Sequence, residues 1–355
     1  SVAGRTAATV TRDGGWSLTV AANGPAGWTL AASGTRLPAA ASRLAASRFG
    51  WPLLAAGLLD LRADLLVEPV PIAAGRSVFG PWQVSCSGHL AGRRLAVRDA
   101  ATQEEQFVVD RLELPFDLTL TPDRVHLKRF AVETSLGRAT AEGTLRLPGA
   151  LPRLGPAELW STAAAVAAAD FAVAAELDLA AIADSRAGGI PLRPDVRVTG
   201  GTVAFDLDSS NGILDLQASV AGLTAIQATQ TRSWPETCTA SLRARRRPAG
   251  QLQLTAARLA SAAAEITARN QPGGIEATWR LDLGRLFTAA AELLDVQSAA
   301  GPVAVAGTTR GRALLGRGPD AAATTLAVAA GLERFSWSVA GRPVWEDELV
   351  VIDVE

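Results

Sequence analysis

Along most of this chain apolar and polar residues alternate. In "GWSLTV" Trp16, Leu18 and Val20 fall on one side and Ser17 and Thr19 on the other; "GWTLAA" repeats the pattern with Trp28, Leu30 and Ala32. A period of two sends side chains to opposite faces of an extended strand, so each run predicts a strand with one apolar face. The turn-rich "AANGPAG" between them predicts an antiparallel hairpin. "FDLTLTPDRVHLKRF" sends Phe116, Leu118 and Leu120 one way and turns at Pro122-Asp123. It returns Val125 and Leu127 to the same side, with His126 and Lys128 opposite. "ATAEGTLRLPG" sets Leu145 and Leu147 against Thr144 and Arg146. "VRVTGGTVAFDLDSSNGILDLQASV" reads as three strands with tight turns at Gly200-Gly201 and Asn211-Gly212, and its inward set is Val203, Phe205 and Leu207.

Helical spacing is rare and short. Leu283, Leu286, Phe287, Ala290 and Leu294 fit one helix face, and Leu37, Ala41, Leu44 and Ala45 fit another, with Pro38 suited to its first turn. "LAAIADSRAGG" predicts about two turns ended by Gly188-Gly189. "GPAELWSTAAAVAAAD" fits helix or strand. The unit Leu-Asp-Leu followed by a short helix occurs at Leu177 and again at Leu281, and Leu30 to Leu61 is a looser third copy. The spacing of roughly 100 to 140 residues exceeds that of ordinary solenoid repeats. Each copy predicts a strand, a short helix and a returning strand added to a continuing sheet. In both clear copies the aspartate, Asp178 or Asp282, stands between two inward leucines. It is expected to be an exposed strand residue and not half of a catalytic carboxylate pair.

Composition narrows the chemistry. Of 355 residues, 48% are hydrophobic but only 5% aromatic, so Ala, Leu and Val supply most of any buried surface. The net charge of −1 gives no global attraction to nucleic acid or to an anionic membrane. No stretch of about twenty apolar residues spans a bilayer as a helix. The chain opens without Met or a signal peptide and is expected to be part of a longer protein, so any anchor lies outside it. His89 and His126, the two histidines, fall on polar strand faces, and no His/Cys/Asp cluster has metal spacing. No nucleophile elbow, Walker loop or dinucleotide fingerprint is present, so neither enzyme, cofactor nor metal is expected. Cys86 and Cys238 fall on apolar strand faces and read as core thiols; their spacing leaves a disulfide between them open. "RARRRPAG" carries too little charge, and no interleaved aromatics, for nucleic-acid binding. Its arginines suit a solvated face or a groove rim that touches lipid headgroups.

Three passages carry a family resemblance: the Leu-Asp-Leu strand and helix at Leu177 and Leu281, the glycine-led hairpin "VTGGTVAFDLD", and the cadence of Gly92 to Leu147, in which an apolar strand and turn lead to a strand with Phe130 and Val132 and then a Gly-marked strand. In these the chain resembles the AsmA-like and TamB-like bacterial envelope proteins, members of the repeating β-groove class of bridge-like lipid transfer proteins. The resemblance implies a mainly β fold: an elongated, strongly curved antiparallel sheet with a few short helices at repeat junctions. It also implies an apolar concave face that holds phospholipid or another acyl-chain lipid, and a periplasmic location with anchoring at the inner membrane. On this reading residues 1–355 form one continuous groove segment, in units 1–150, 151–270 and 271–355. The expected groove lining is Leu118, Leu120, Val125, Leu127, Leu145, Leu147, Val203, Phe205 and Leu207, with Arg243, Arg245 and Arg247 at the rim. The competing expectation is a structural or adhesive β-rich envelope protein without lipid transport.

Overall fold

The computed structural model describes residues 7–12, 15–23, 27–38, 53–69, 82–99, 105–121, 124–146, 170–184, 193, 195–247, 252–293, 297–298, 301–317 and 324–354. The protein is mainly β and antiparallel, with two short helices among the described residues. It divides into two compact units: Ser1–Leu177 with Ser185–Ala187 and Asp206–Gly212, and Asp178–Asp184 with Gly188–Phe205 and Ile213–Glu355.

The first unit is an uninterrupted meander. Its strands are β1 (Ala7–Arg12), β2 (Trp16–Asn23), β3 (Gly27–Pro38), β4 (Leu53–Pro69), β5 (Trp82–Asp99), β6 (Glu105–Leu120), β7 (Arg124–Thr134), β8 (Gly137–Arg146) and β9 (Asp170–Asp178). Each pairs antiparallel with the next. The expected hairpin is β2–β3, with Leu18 opposite Ala32 and Val20 opposite Leu30. The second hairpin is β6–β7, with Leu120 opposite Val125 and Leu118 opposite Leu127.

β10 (Val196–Ser210) has its first ten residues in the second unit and its last five in the first. The second unit repeats the plan with β11 (Ile213–Gln227), β12 (Gln230–Trp234), β13 (Cys238–Arg246), β14 (Leu252–Ala260), β15 (Ala264–Gln271), β16 (Gly274–Asp282), β17 (Gln297–Ser298), β18 (Gly301–Arg317), β19 (Thr324–Val339) and β20 (Arg342–Val354). β10 turns into β11 through Asn211 and Gly212, whose φ of 53 and 73 suits the tight turn that matches strand twist. From β11 the ladder runs through β13, β14, β15, β16, β18 and β19 to β20. The turn expected at Gly200-Gly201 is absent. β10 runs straight through these glycines, and Gly201 instead takes φ 130, a local distortion that leaves the strand intact.

Bulges explain where the alternation breaks phase. In "LQLTAARL" Leu252 and Leu254 are out of phase with Leu259, so no regular strand puts all three on one face. The register shifts there: Ala244 pairs with Leu254 while Arg243 pairs with Ala256, leaving Thr255 as the extra residue. The bulge restores Leu259 to the face of Leu254. β7 uses the same device. Leu127 pairs with Leu118 and Phe130 with Phe116, so the extra residue between them keeps Val125, Leu127 and Phe130 together. Bulges also lie at Gly57, beside Arg36 and at Gly307, all with positive φ, and each bends its strand and raises its twist.

The two repeated helices are α1 (Leu179–Asp184) and α2 (Leu283–Leu293), each directly after the Asp that ends its strand. Asp178 is exposed at the end of its strand, as expected, and Asp282 ends its strand half-buried, but neither is a plain strand position. Asp178 Oδ1 accepts hydrogen bonds from the backbone N–H of Ala180 at 2.8 Å and of Ala181 at 3.1 Å. Asp282 Oδ1 accepts one from the N–H of Arg285 at 2.9 Å, and its Oδ2 lies 3.6 Å from the Arg285 guanidinium. Both are helix N-caps. α2 packs on β18, the strand it leads into, and β16 pairs with β18 on its far side. Leu286 and Phe287 are half-buried while Arg285 and Thr288 are exposed. Leu37 and Pro38, expected to open a helix, end strand β3; Ala41, Leu44 and Ala45 lie outside the described residues, as does most of "GPAELWSTAAAVAAAD".

Candidate functional site: the apolar sheet faces

Registers turn the alternation of single strands into rows that cross the sheet. In the first unit one row is Leu18, Ala32, Ala63, Gly88, Phe116, Phe130, Ala141 and Val173. The next is Val20, Leu30, Leu65, Cys86, Leu118, Leu127, Gly143 and Phe171. In the second unit the corresponding rows are Leu216, Leu242, Ala257, Ala268, Ala277, Ala313, Val328 and Val354, and Ala218, Ala240, Leu259, Ile266, Trp279, Gly311, Ala330 and Ile352. None contains a charged or hydrogen-bonding side chain apart from the Cys86 thiol and the Trp279 indole. At a strand spacing of about 4.8 Å each apolar face is about 34 Å wide.

The opposite faces are polar and carry cross-strand ion pairs. They include Arg138–Glu176 at 2.6 Å and Lys128–Asp117 at 3.8 Å in the first unit, and Asp215–Arg243 at 3.4 Å and Arg310–Glu333 at 2.6 Å in the second. His89 Nε2 sits 2.6 Å from Glu113, and His126 Nδ1 lies 2.9 Å from the Thr144 hydroxyl. Such exposed pairs add at most about 1 kcal/mol each. Their effect is to mark which face meets water.

The apolar faces are only half covered. Side chains between two packed sheets are almost wholly buried, yet Leu118, Leu127, Phe116, Leu242, Ile266 and Trp279 are all half-buried, and Leu259 is exposed. The described buried apolar residues are few, among them Ala63, Leu95, Val109, Leu214, Ala225 and Ala244. Leu95 and Val109 form one small core with Leu59, Leu112 and Leu136. Small residues keep the faces shallow, as in the run Ala257, Ala268, Ala277, Ala313. At two of the glycines in these rows an aromatic lies over the backbone. A methyl group at Gly311 would stand 2.5 Å from Cζ2 of Trp279, and one at Gly88 would stand 2.8 Å from Cζ of Phe116.

Leu118, Leu120, Val125 and Leu127 share the apolar face of the first unit. Leu145 is the cross-strand partner of Val125, and Leu147 lies outside the described residues. On β10 Phe205 and Leu207 alternate with exposed Asp206 and Asp208, and Val203 is half-buried. The three arginines are not brought together. Arg243 is bound to Asp215 on the polar face. Arg245 is exposed between Ile213 and Gln253. Arg247, past the end of β13, lines a 1000 Å³ cavity.

That cavity lies at the tips of β14, β15, β16 and β18. Its apolar wall is Leu252, Leu254, Ile275 and Leu315, and its polar wall Arg247, Gln253, Asn270 and Gln271. Leu254 and Leu315 belong to the apolar face, since they continue the rows of Ala244 and Ile275. Nothing in the sequence signalled this cavity. The first unit has a hollow of 530 Å³ on its polar side, lined by residues such as Thr19, Thr29, Asp64, Ser87, Asp117 and Lys128. A twisted sheet is saddle-shaped and so is hollow along one diagonal on each face. Cys86 borders this hollow; partial burial, helped by the charges of Asp117 and Asp64, pushes its thiol above the usual range. Both cysteines are free. Among the described residues no group of three or more His, Cys, Asp or Glu could hold a metal ion, and no helix is long and apolar enough to cross a membrane. No family model, curated protein or solved structure matches the chain.

Proposed function

We propose that this chain is a segment of a lipid transfer protein of the bacterial envelope, in which open apolar sheet faces shield acyl chains between the inner and outer membranes. One observation carries the reading: in each unit an apolar face crosses eight strands and stays half exposed. Burying such a face against protein gains about 25 cal/mol per Å², and leaving it to water forgoes that gain. Contiguous apolar patches beyond a few hundred Å² on soluble proteins mark interaction sites. Acyl chains suit this one. A leaflet's hydrocarbon is about 15 Å deep, half the thickness of a bilayer core, and fits across a face about 34 Å wide. Mobile chains also tolerate a floor of Ala and Gly that offers no deep pockets. The role needs no catalysis, cofactor or nucleic acid.

The reading is tested by placing a photo-crosslinking residue at Leu118, Leu127, Leu242 or Ala268 in cells. Adducts with phospholipid are expected from all four, and none from Thr119 or Ser241 on the polar faces. Adducts with protein alone would reject lipid shielding in favour of the structural or adhesive role. That alternative has its own support in β20. The strand is paired only with β19 among the described strands, and it exposes Val344, Leu349 and Val351, as a strand-adding partner would require.

A further inference from the structure

The proposed lipid face has an end, and its chemistry changes there. Across the rows of the second unit the polar atoms lie on the other side, but at the tips of β14, β15 and β16 the 1000 Å³ cavity places Arg247, Gln253, Asn270 and Gln271 beside Leu254 and Leu315. Among the described residues no carboxylate lines it. Arg243, farther along β13 on the polar face, is matched by Asp215. Arg247 has no ion pair among the described residues. Its Nε donates instead to Gln253 Oε1 at 2.8 Å, a neutral partner that aims the guanidinium without cancelling its charge. Gln271 Nε2 donates to Glu276, which anchors that side chain at the rim. The apolar wall is open in turn, with Leu315 45% exposed and its cross-strand neighbour Leu326 52% exposed.

We propose that this cavity seats the anionic headgroup of an amphiphile whose chains lie on the apolar face, and so makes the protein favour anionic over zwitterionic phospholipid. The inference rests on the lipid-shielding reading above. The shared chemistry is a singly charged oxyanion held by a guanidinium, whose planar N–H groups match a phosphate or carboxylate edge. The amide N–H group of Asn270, on the same face as Ile275, stands ready as a further donor. Choline, a bulky cation, would stand against Arg247 in the zwitterionic case and offset the gain.

The test uses the intact protein and lipid-loaded vesicles. Uptake is measured separately from vesicles of phosphatidylglycerol and of phosphatidylcholine, and also from micelles of palmitate, for wild type and Arg247→Gln. Wild type should prefer phosphatidylglycerol over phosphatidylcholine, and Arg247→Gln should lower phosphatidylglycerol uptake about tenfold, the scale of one lost charge-assisted hydrogen bond. Arg243→Gln, on the other face, should keep the wild-type preference and controls for net charge. A matching loss with palmitate assigns the site to any oxyanion head, and a loss with phosphatidylglycerol alone assigns it to phosphate; either supports the proposal. Equal uptake of both phospholipids, unchanged in Arg247→Gln, overturns the headgroup site and leaves lipid shielding standing. No uptake of any lipid by wild type overturns lipid shielding and this inference with it. Arg247→Lys guards against misfolding of the first variant: it should recover part of the preference, and a wild-type melting curve with no recovery and no preference in either variant would still count for the site.

Discussion

Asp282 shows how much one side chain can do at a strand end. Its carboxylate holds the backbone N–H of Arg285, one of the four donors that a helix start leaves unpaired, and it also faces the Arg285 guanidinium. Asp282→Ala should therefore cost about 1 kcal/mol, while Asp282→Asn, itself a good cap, should cost a few tenths; urea denaturation of the two variants checks the order. Phe287 in the same helix is half-buried. Phe287→Ala should cost about 1–2 kcal/mol, below the full-burial value because part of the ring already meets solvent. Gly311 carries a sharper constraint. The Trp279 ring occupies the space a side chain there would need, and the backbone oxygen of Ala329 closes the other side at 2.6 Å. Gly311→Val should push Trp279 off the face, lower stability by about 1–3 kcal/mol, and shift the tryptophan emission to the red.

At the level of strands and helices the sequence was legible wherever one period held. The hairpins β2–β3 and β6–β7, the turn at Asn211-Gly212 and the helices after both Leu-Asp-Leu units follow from alternation, turn residues and helical spacing alone. What misled was local chemistry that competes with period. Asp178 and Asp282 have strand phase, but an Asp directly before a helical run is also a cap signal, and the cap prevailed. Gly200-Gly201 looks like a turn but is a distortion inside one strand, because only its neighbours across the sheet decide between the two. The rim arginines were read as a set since Arg243, Arg245 and Arg247 alternate. β13 ends at Arg246, and Arg247, still bonded to Gln253 opposite Arg245, differs from the other two in reaching the strand tips where the cavity lies. α1 illustrates a tie that no spacing reveals. Its last residue, Asp184, accepts from the Arg197 guanidinium at 2.8 Å and 3.3 Å, binding the helix end to β10. That hydrogen bond and the charge of Arg197 hold the Asp184 carboxyl below its usual 3.8. A lowered folded-state value means that the stabilisation is present above about pH 4 and fades as pH falls through the folded value. Protection of the α1 amides, the exchange rate relative to the unstructured chain at the same pH, should fall below pH 4 in wild type and be low at every pH in Arg197→Gln. As the pair is exposed, the melting temperature should hardly move.

For the molecule as a whole, the question is what covers the apolar faces, and each unit poses it in the same way. A covered face and a lipid-facing one have the same strands, registers and alternation, so period alone left the question open. Exposure separates them, and a charge placed on the face turns exposure into a measurement. Ala268 lies in the row Ala257, Ala268, Ala277, half-buried among small neighbours. On a covered face Ala268→Arg would bury an unpaired guanidinium and overpack the row, at a cost of several kcal/mol. On an open face the long stem lies across the alanines and its head reaches water, so the cost falls to about 1 kcal/mol or less. The lipid reading therefore predicts a melting temperature within about 4–8 °C of wild type. It also predicts loss of phospholipid adducts from a crosslinker at Leu242, because a charge then stands in the path of the chains. Ala256→Arg, one residue from Ala257 but on the polar face beside Arg243, should leave both the melting temperature and the adducts near wild type. An Ala268→Arg protein that fails to fold while Ala256→Arg folds would show that protein, and not lipid, covers the face.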